Sequence, residues 1–434
     1  MTTDSRNLVL VSIDSLRGDH CGFLGDDRGL TPTLDALAAE GVAYRNAIAP
    51  GPQTFSSMPT VFTGRRRRPT SLDEYPQRTH WERRLAAINE HMRRHASIAE
   101  RLGERGYDTG AVTPNPWTST ASGFDRGFDE FVDFSEADSG GWVTSVADRL
   151  PGVDADSRPV ELVSNLVSGS EFFARWETLY DDIERVRESL SEPYFLWVFV
   201  LDTHFPFIPA RAHREEQGLL GTYYGTYRSS DPMRGKGGEL SPRVRESVLR
   251  SYRDTVRSAD AFVARLRADL AGDDPALIVH ADHGESFGDH GNYGHHHREV
   301  YEENVRVPYL VHNAGVSAEV TEPTSLSSVH DTALDIARDG TFDPAAAAAP
   351  YVVSSSECGT NRAMRGVPFK RVESGGEARL FDLAVDPGER SDVSGAHPGV
   401  MTELGRRLDR VDDDAAEAER IHAAARRVVD RNEV

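Results

Sequence analysis

Lysine is nearly missing from this 434-residue chain. It occurs only at Lys236 and Lys370, so arginine supplies almost all of the 49 basic residues. Against them stand 70 Asp and Glu, for a formal net charge of −21. A surface this acidic repels nucleic acid and anionic membranes, and excludes both as general partners. The same Lys-poor, acidic balance fits a halophilic protein kept soluble in high salt; GC-biased coding is the competing account. Cysteine is as scarce. Cys21 and Cys358 cannot build a disulfide framework and fit a reducing interior. No apolar run approaches the ~18 residues of a membrane span. Residues 1–6 lead into a predicted strand without the charged-then-apolar pattern of a signal peptide. The expectation is a cytoplasmic protein with no membrane span. Hydrophobic residues still make up 38%, enough for a sizeable core.

Strand and helix signals alternate. Leu8-Val-Leu-Val11 is an apolar run leading to Asp14, as in a strand buried on both faces of a parallel sheet. Thr31-Pro32 predicts a helix with a capping threonine, stopped by Gly41. A strand is expected over 42–47, helices from Thr54 to Gly64 and over 97–106, and a strand over 108–113. The basic run Arg65 to Arg68 reads as a solvated turn. Tyr194-Phe-Leu-Trp-Val-Phe-Val-Leu201 is the strongest buried strand and ends at Asp202-Thr-His204. Residues 135–190 read as an insertion with helices, and 221–240, rich in Gly, Ser and Tyr, as a mobile loop. A long amphipathic helix is expected over about 241–270, and another near 329–338. The alanine run from Asp343 to Pro350 reads as a linker. Short strands near 351–355, 366–372 and 378–383 and a charged helix close the chain. The pattern implies a large α/β domain over 1–342 and a small C-terminal α+β subdomain over 351–434.

Three strong strands end in acidic or imidazole groups: Asp14, Asp202 with His204, and Asp282 with His283. Ligand sites in open α/β sheets gather at that edge, and adjacent Asp and His suit a divalent cation with mixed O/N ligation. The plain alternative for Asp282-His283-Gly284 is a polar loop after a strand, with His290 and His295-His296-His297 as solvated neighbours. Thr54 opens a short helix whose N-terminus would stabilise an anion. A threonine there is more often simply a cap.

The order of motifs resembles the sulfatase family of the alkaline phosphatase superfamily. The carriers are Asp14-Ser-Leu-Arg-Gly-Asp-His20, Thr31-Pro-Thr-Leu-Asp-Ala-Leu37, Gly123-Phe-Asp-Arg-Gly-Phe-Asp129, His204-Phe-Pro-Phe207, Asp282-His-Gly-Glu285, Gly288-Asp-His-Gly291, Val305-Arg-Val-Pro308 and Leu380-Phe-Asp-Leu-Ala-Val-Asp-Pro-Gly-Glu389. Each is weak alone, but the ordered set spans about residues 7–393. The resemblance implies a large mixed, mostly parallel sheet between helices. It also implies a metal-dependent ester hydrolase. Asp14, Asp282 and His283 would hold one divalent ion, touched also by Thr54 in the nucleophile's position. His204 would contact the ester or protonate the leaving group. His295 falls near the slot of a substrate-binding lysine, with His297 as the competing candidate.

Departures from the family pattern shape the expected chemistry. Sulfatases mature a Cys or Ser in Cys/Ser-x-Pro-x-Arg to formylglycine; here the slot reads Thr54-Phe-Ser-Ser-Met58, and no formylglycine is expected. A plain threonine suits phosphate or phosphonate esters better. A sulfuric ester hydrolase without the standard aldehyde, or a soluble phospho-group transferase, is the alternative. Well-known Thr-type transferases are membrane-anchored, which this chain is not expected to be. Ser15 in place of a second carboxylate, together with His283, favours Mn²⁺ or Zn²⁺ over Ca²⁺, although some relatives with Asp-His bind Ca²⁺. Asn115, in Pro114-Asn-Pro-Trp117, would hydrogen-bond an ester oxygen. The expected substrate is a small-molecule, glycan or lipid ester.

Overall fold

A computed structural model describes residues 6–67, 79–133 and 175–411. In chain order the strands of the first half are β1 (Leu8–Ile13), β2 (Val42–Tyr44), β3 (Ala47–Ile48), β4 (Asp108–Thr113), β5 (Glu130–Asp133) and β6 (Tyr194–Val200). Those of the second half are β7 (Ala276–Ala281), β8 (Tyr309–His312), β9 (Ala318–Val320), β10 (Thr324–Ser325), β11 (Val352–Ser355), β12 (Arg362–Arg365), β13 (Phe369–Ser374) and β14 (Glu377–Asp382). Eight of them form one sheet in the order β5-β4-β6-β1-β7-β8-β2-β9. All run parallel except β8, which is antiparallel to both β7 and β2.

Every residue of β1, β6 and β7 is buried, which explains their continuous apolar runs. The three lie in step. Leu8 pairs with Phe195 and Ala276, and Ile13 with Val200 and Ala281. Residues just past their ends therefore arrive at one edge, level with one another.

Helices flank the sheet. They are α1 (Pro32–Glu40), α2 (Thr54–Thr63), α3 (His80–Arg94), α4 (Ile98–Gly103), α5 (Trp176–Ser189), α6 (Leu219–Met233), α7 (Pro242–Asp269), α8 (Glu302–Val305) and α9 (Ser328–Asp339). One group packs around α7, with α1, α5 and α6; another joins α2 with α3 and α9. Gly110 on β4 lets α5 approach: a Cβ there would lie 2.6 Å from Val186 and 2.9 Å from Leu190. A separate four-stranded antiparallel sheet, β11-β12-β13-β14, carries the C-terminal part, with residues 398–411 helical beside it. It adds its own small core of Met364, Leu380, Leu404 and Leu408.

Several expectations need correction. Residues 176–189 lie within the segment expected to be an insertion with helices, and are helical. They form α5, whose Leu179, Ile183 and Val186 are buried toward the sheet; residues 135–174 of the expected insertion lie outside the described residues. Residues 219–233 are helical, because α6 lies along α7 and Gly225 meets Ser247 there; tertiary packing overrides the poor helix formers in that stretch. The alanine run is no free linker. Pro344–Ala347 make a 3-10 turn, and Ala349 donates to the Pro323 carbonyl at 2.9 Å. The expected strand near 366–372 covers a turn and the first residues of β13, which pairs with β12 across that turn, and α3 adds a helix whose start carries the capping-box spacing Thr79-His-Trp-Glu82. Thr31 does not cap α1. The Asp260 carboxylate, reaching from α7, accepts from the N–H groups of Thr33 and Leu34 at 2.9–3.1 Å. Cys21 and Cys358 are both free thiols. Among the described residues, no helix is long and apolar enough to cross a membrane.

Candidate active site

Thr54 is the first residue of α2, a helix buried along its whole length. Gln53 precedes it in extended conformation and forms a capping box with Ser56, so the helix start is set by Gln53 and not by Thr54. That leaves the Thr54 hydroxyl available at the positive end of the helix dipole. Pro59 sits inside α2 and has no N–H for the Phe55 carbonyl. Arg67 donates to that carbonyl at 3.0 Å instead. The basic run is therefore only partly a solvated turn: Arg65 is exposed, but Arg67 is 7% exposed and completes the helix that carries Thr54.

Asp14 follows β1 and Asp282-His283 follow β7. All three are fully buried. Ser15 holds a positive φ of 59°, a costly conformation for a non-glycine residue. Tyr252 of α7 pins that turn, donating to the Ser15 carbonyl at 2.8 Å and accepting from Arg17 N–H at 2.9 Å. Ser15 Oγ donates to Asp14 Oδ1 at 2.9 Å. Asp282 Oδ1 accepts from the N–H groups of Ser15 and His283 at 3.2 and 2.8 Å. His283 Nδ1 donates to the Gly284 carbonyl at 2.7 Å, so Nε2 faces the carboxylates, 3.4 Å from Asp14 and 3.6 Å from Asp282. Thr54 Oγ1 lies 3.5 Å from Asp14 Oδ2 and 3.4 Å from His283 Nε2. Asn115, just beyond β4, accepts from Trp117 N–H through its oxygen at 2.9 Å. Its amide nitrogen therefore points inward, donating to Asp14 Oδ2 at 2.9 Å and lying 3.4 Å from Thr54 Oγ1.

The remaining histidines divide. The rings of His204 and His295 lie 5.2 Å apart, and those of His295 and His283 lie 4.7 Å apart. His204 Nδ1 donates to the Phe205 carbonyl at 2.6 Å. His295 Nδ1 meets the buried carboxylate of Glu285 at 3.1 Å. His297 is not brought to this cluster: it is exposed, and its carbonyl accepts from Asn361. Asp202 is also elsewhere. It takes the Ser258 hydroxyl at 2.7 Å and caps the first N–H of α5 at 3.1 Å. Burial pushes its carboxyl up to about 7. Glu285 was missed in the sequence, although a charged residue directly after Asp-His-Gly was a usable signal.

The electrostatics fit a cation. Donor atoms of Asp14, Asp282 and His283 all lie within 4.8 Å of one another. Burial, and then repulsion from Asp14, pushes the Asp282 carboxyl well above its ordinary range. Its Oδ2 is buried without a hydrogen-bond partner. Burial likewise lowers the imidazoles of His283, His204 and His295, favouring neutral rings. Two buried carboxylates and a neutral imidazole are a ligand set of mixed O/N type for a divalent ion.

The Sulfatase family profile matches residues 6–339. An arylsulfatase of Clostridium perfringens is 22% identical over 344 residues, covering 71% of this chain and 69% of that protein. Among solved structures, the phosphonate monoester hydrolase of Agrobacterium radiobacter superposes with a TM-score of 0.65 at 19% identity, covering 94% of this chain and 96% of that one. A 2-O GAG sulfatase gives 0.67 at 17% identity, covering 96% and 94%. A profile match over this span, on a sheet edge that gathers the motif carboxylates and imidazoles, makes the chain a member of the sulfatase family, within the alkaline phosphatase superfamily, and a hydrolase of that family.

Proposed function

We propose that this enzyme cleaves a phosphate or phosphonate ester, with Thr54 as nucleophile. The observation that carries this reading is the Thr54 hydroxyl at a helix N-terminus, 3.4 Å from His283 Nε2, at the position where the family pattern begins with a cysteine or serine. A divalent ion held by Asp14, Asp282 and His283 would lower the pKa of a neighbouring hydroxyl and offset the charge of the ester. Thr54 Oγ1 forms the new bond to phosphorus as the bond to the leaving oxygen breaks. The neutral His204 ring keeps its proton on Nδ1, which donates to the Phe205 carbonyl, so its bare Nε2 takes the proton that the Thr54 hydroxyl releases and passes it to the leaving oxygen. Asn115 and His295 bind the ester's non-bridging oxygens, and Glu285 fixes the His295 ring. Water then attacks the phosphothreonine at phosphorus, which restores the hydroxyl and releases the phosphate or phosphonate. The relatives named as sulfatases favour a sulfuric ester as the second reading. A threonine ester has no aldehyde hydrate to expel sulfate, which weighs against it.

The test compares aryl phosphate, phosphodiester, phosphonate monoester and aryl sulfate on the metal-loaded enzyme, with intact-protein mass. The expected result is phosphorus-ester turnover with an unmodified Thr54, lost in Thr54→Ala. Dominant sulfate turnover, or full activity in Thr54→Ala, would refute the proposal.

A further inference from the structure

The cleft between the catalytic fold and the C-terminal sheet gathers guanidinium groups that ester cleavage does not use. It encloses about 460 Å³ and is lined by Arg17 and Asp19 after β1, Arg306 at the end of α8, Arg365 on β12 and Arg390 past the final turn. The carboxylates in its wall are already engaged. Asp19 and Asp289 hold Arg17 at 2.6 and 2.9 Å. Glu303 holds His290 at 2.6 Å. Glu302 holds Lys370 at 2.9 Å and lies 3.7 Å from Arg365.

Among the described residues Arg306 has no carboxylate in direct contact, although Glu302 and Asp19 act on it from a distance. It forms no ion pair among them, and its guanidinium donates only to the carbonyls of Arg45 and Leu24. Burial lowers it from its ordinary value; Glu302 offsets part of this and Arg365 adds to it. Arg365 is 6% exposed; its terminal nitrogens donate to the Gly366 carbonyl and Asn46 Oδ1 at 3.2 and 2.7 Å, and its buried Nε, 3.7 Å from Glu302, makes no hydrogen bond. Arg390 forms no ion pair among the described residues either. A desolvated guanidinium without an anion is costly, and its donor fork matches the oxygens of a tetrahedral anion.

We propose that this cleft is a second anion site, taking an oxyanion of the phosphate or sulfate class between Arg306, Arg365 and Arg390. Because the three arginines come from both parts of the chain, the bound anion ties the C-terminal sheet to the catalytic fold. The electrostatics stand whichever ester the enzyme cleaves.

Equilibrium dialysis of the full-length, metal-loaded enzyme with inorganic phosphate, at fixed chloride, tests the site. The wild type should bind a phosphate that a competitive active-site inhibitor does not displace. Arg390→Gln, at an exposed residue, should weaken it about tenfold, the cost of one charge-assisted hydrogen bond, and leave kcat/KM unchanged. Arg306→Gln should abolish it; if that variant does not fold, Arg390→Gln alone decides. Binding unmoved by Arg390→Gln, or displaced by chloride at equal ionic strength, would overturn the proposal. Glycerol phosphate as competitor separates the sources: tighter binding than inorganic phosphate assigns the site to a phosphomonoester, weaker binding to the free ion, and either supports it.

Discussion

Thr54 Oγ1 lies 3.4 Å from Nε2 of His283, a residue 229 positions further along the chain. The pair joins the start of a buried helix to the end of a central strand, and both groups face the Asp14 carboxylate. Neither residue is reactive in isolation. What the pair can do depends on the charge placed between Asp14 and Asp282, and the first expectation concerns that charge.

Asp14 and Asp282 are buried together, and Asp282 Oδ2 lacks a partner. A divalent cation should therefore stabilise the fold as well as activate it. At about 100 times its Kd, a ligand that binds only the folded state adds roughly 2.7 kcal/mol. Melting with and without Mn²⁺ or Zn²⁺ should show a rise of a few degrees in the wild type. In Asp282→Asn that rise should vanish, together with bound metal measured by elemental analysis. Full metal occupancy in the variant would mean that the ligand set is wrong.

Asn115 donates to Asp14 Oδ2 while Trp117 N–H fixes its orientation. Removing one such donor from a catalytic site costs roughly 10²-fold in kcat. Asn115→Ala should lower kcat by about that factor, with a smaller change in KM and metal content preserved. A loss confined to KM would limit Asn115 to ground-state binding.

Lys370 is one of only two lysines and is completely buried, 2.9 Å from both Glu302 and Glu389. Glu302 belongs to the catalytic fold, whereas Lys370 and Glu389 belong to the C-terminal part. Lys370→Met would leave the buried Glu389 without its cation and Glu302 with only Arg365 at 3.7 Å, and should cost about 3–5 kcal/mol. Adding Glu302→Gln should recover part of that loss. Denaturant unfolding of the single and double variants measures both, and additive losses would contradict the coupling.

His91 on α3 is buried against Thr63, and burial, then the neighbouring His95 and Arg67, lowers its imidazole to about 3. The unfolded chain takes up this proton from about pH 6.5 downward. The folded state resists until about pH 3. Between these limits the unfolded state binds more protons, so stability must fall as pH drops. Denaturation from pH 7 to pH 4 should show that slope, and His91→Gln should make it shallower. An unchanged slope would remove His91 from the account.

The sequence by itself determined the large parallel sheet and its chemical edge. Apolar runs as continuous as Tyr194–Val200 can only be strands buried on both faces, and the acids and imidazoles just beyond them must then emerge at one edge. Scarce cysteine, the absence of long apolar runs, and Thr54 where the family pattern begins with Cys or Ser were equally legible. Tertiary structure decided the rest. Asp202 and Asp282 follow equivalent strands, yet Asp202 caps α5 and Asp282 faces Asp14. His295 and His297 are two residues apart, yet only His295 turns inward, toward Glu285. Arg67, within a run of like charges, is buried because Pro59 leaves a carbonyl unsatisfied. Each outcome turns on a partner distant in sequence, through burial and hydrogen-bond satisfaction, and neither quantity exists until the chain has folded.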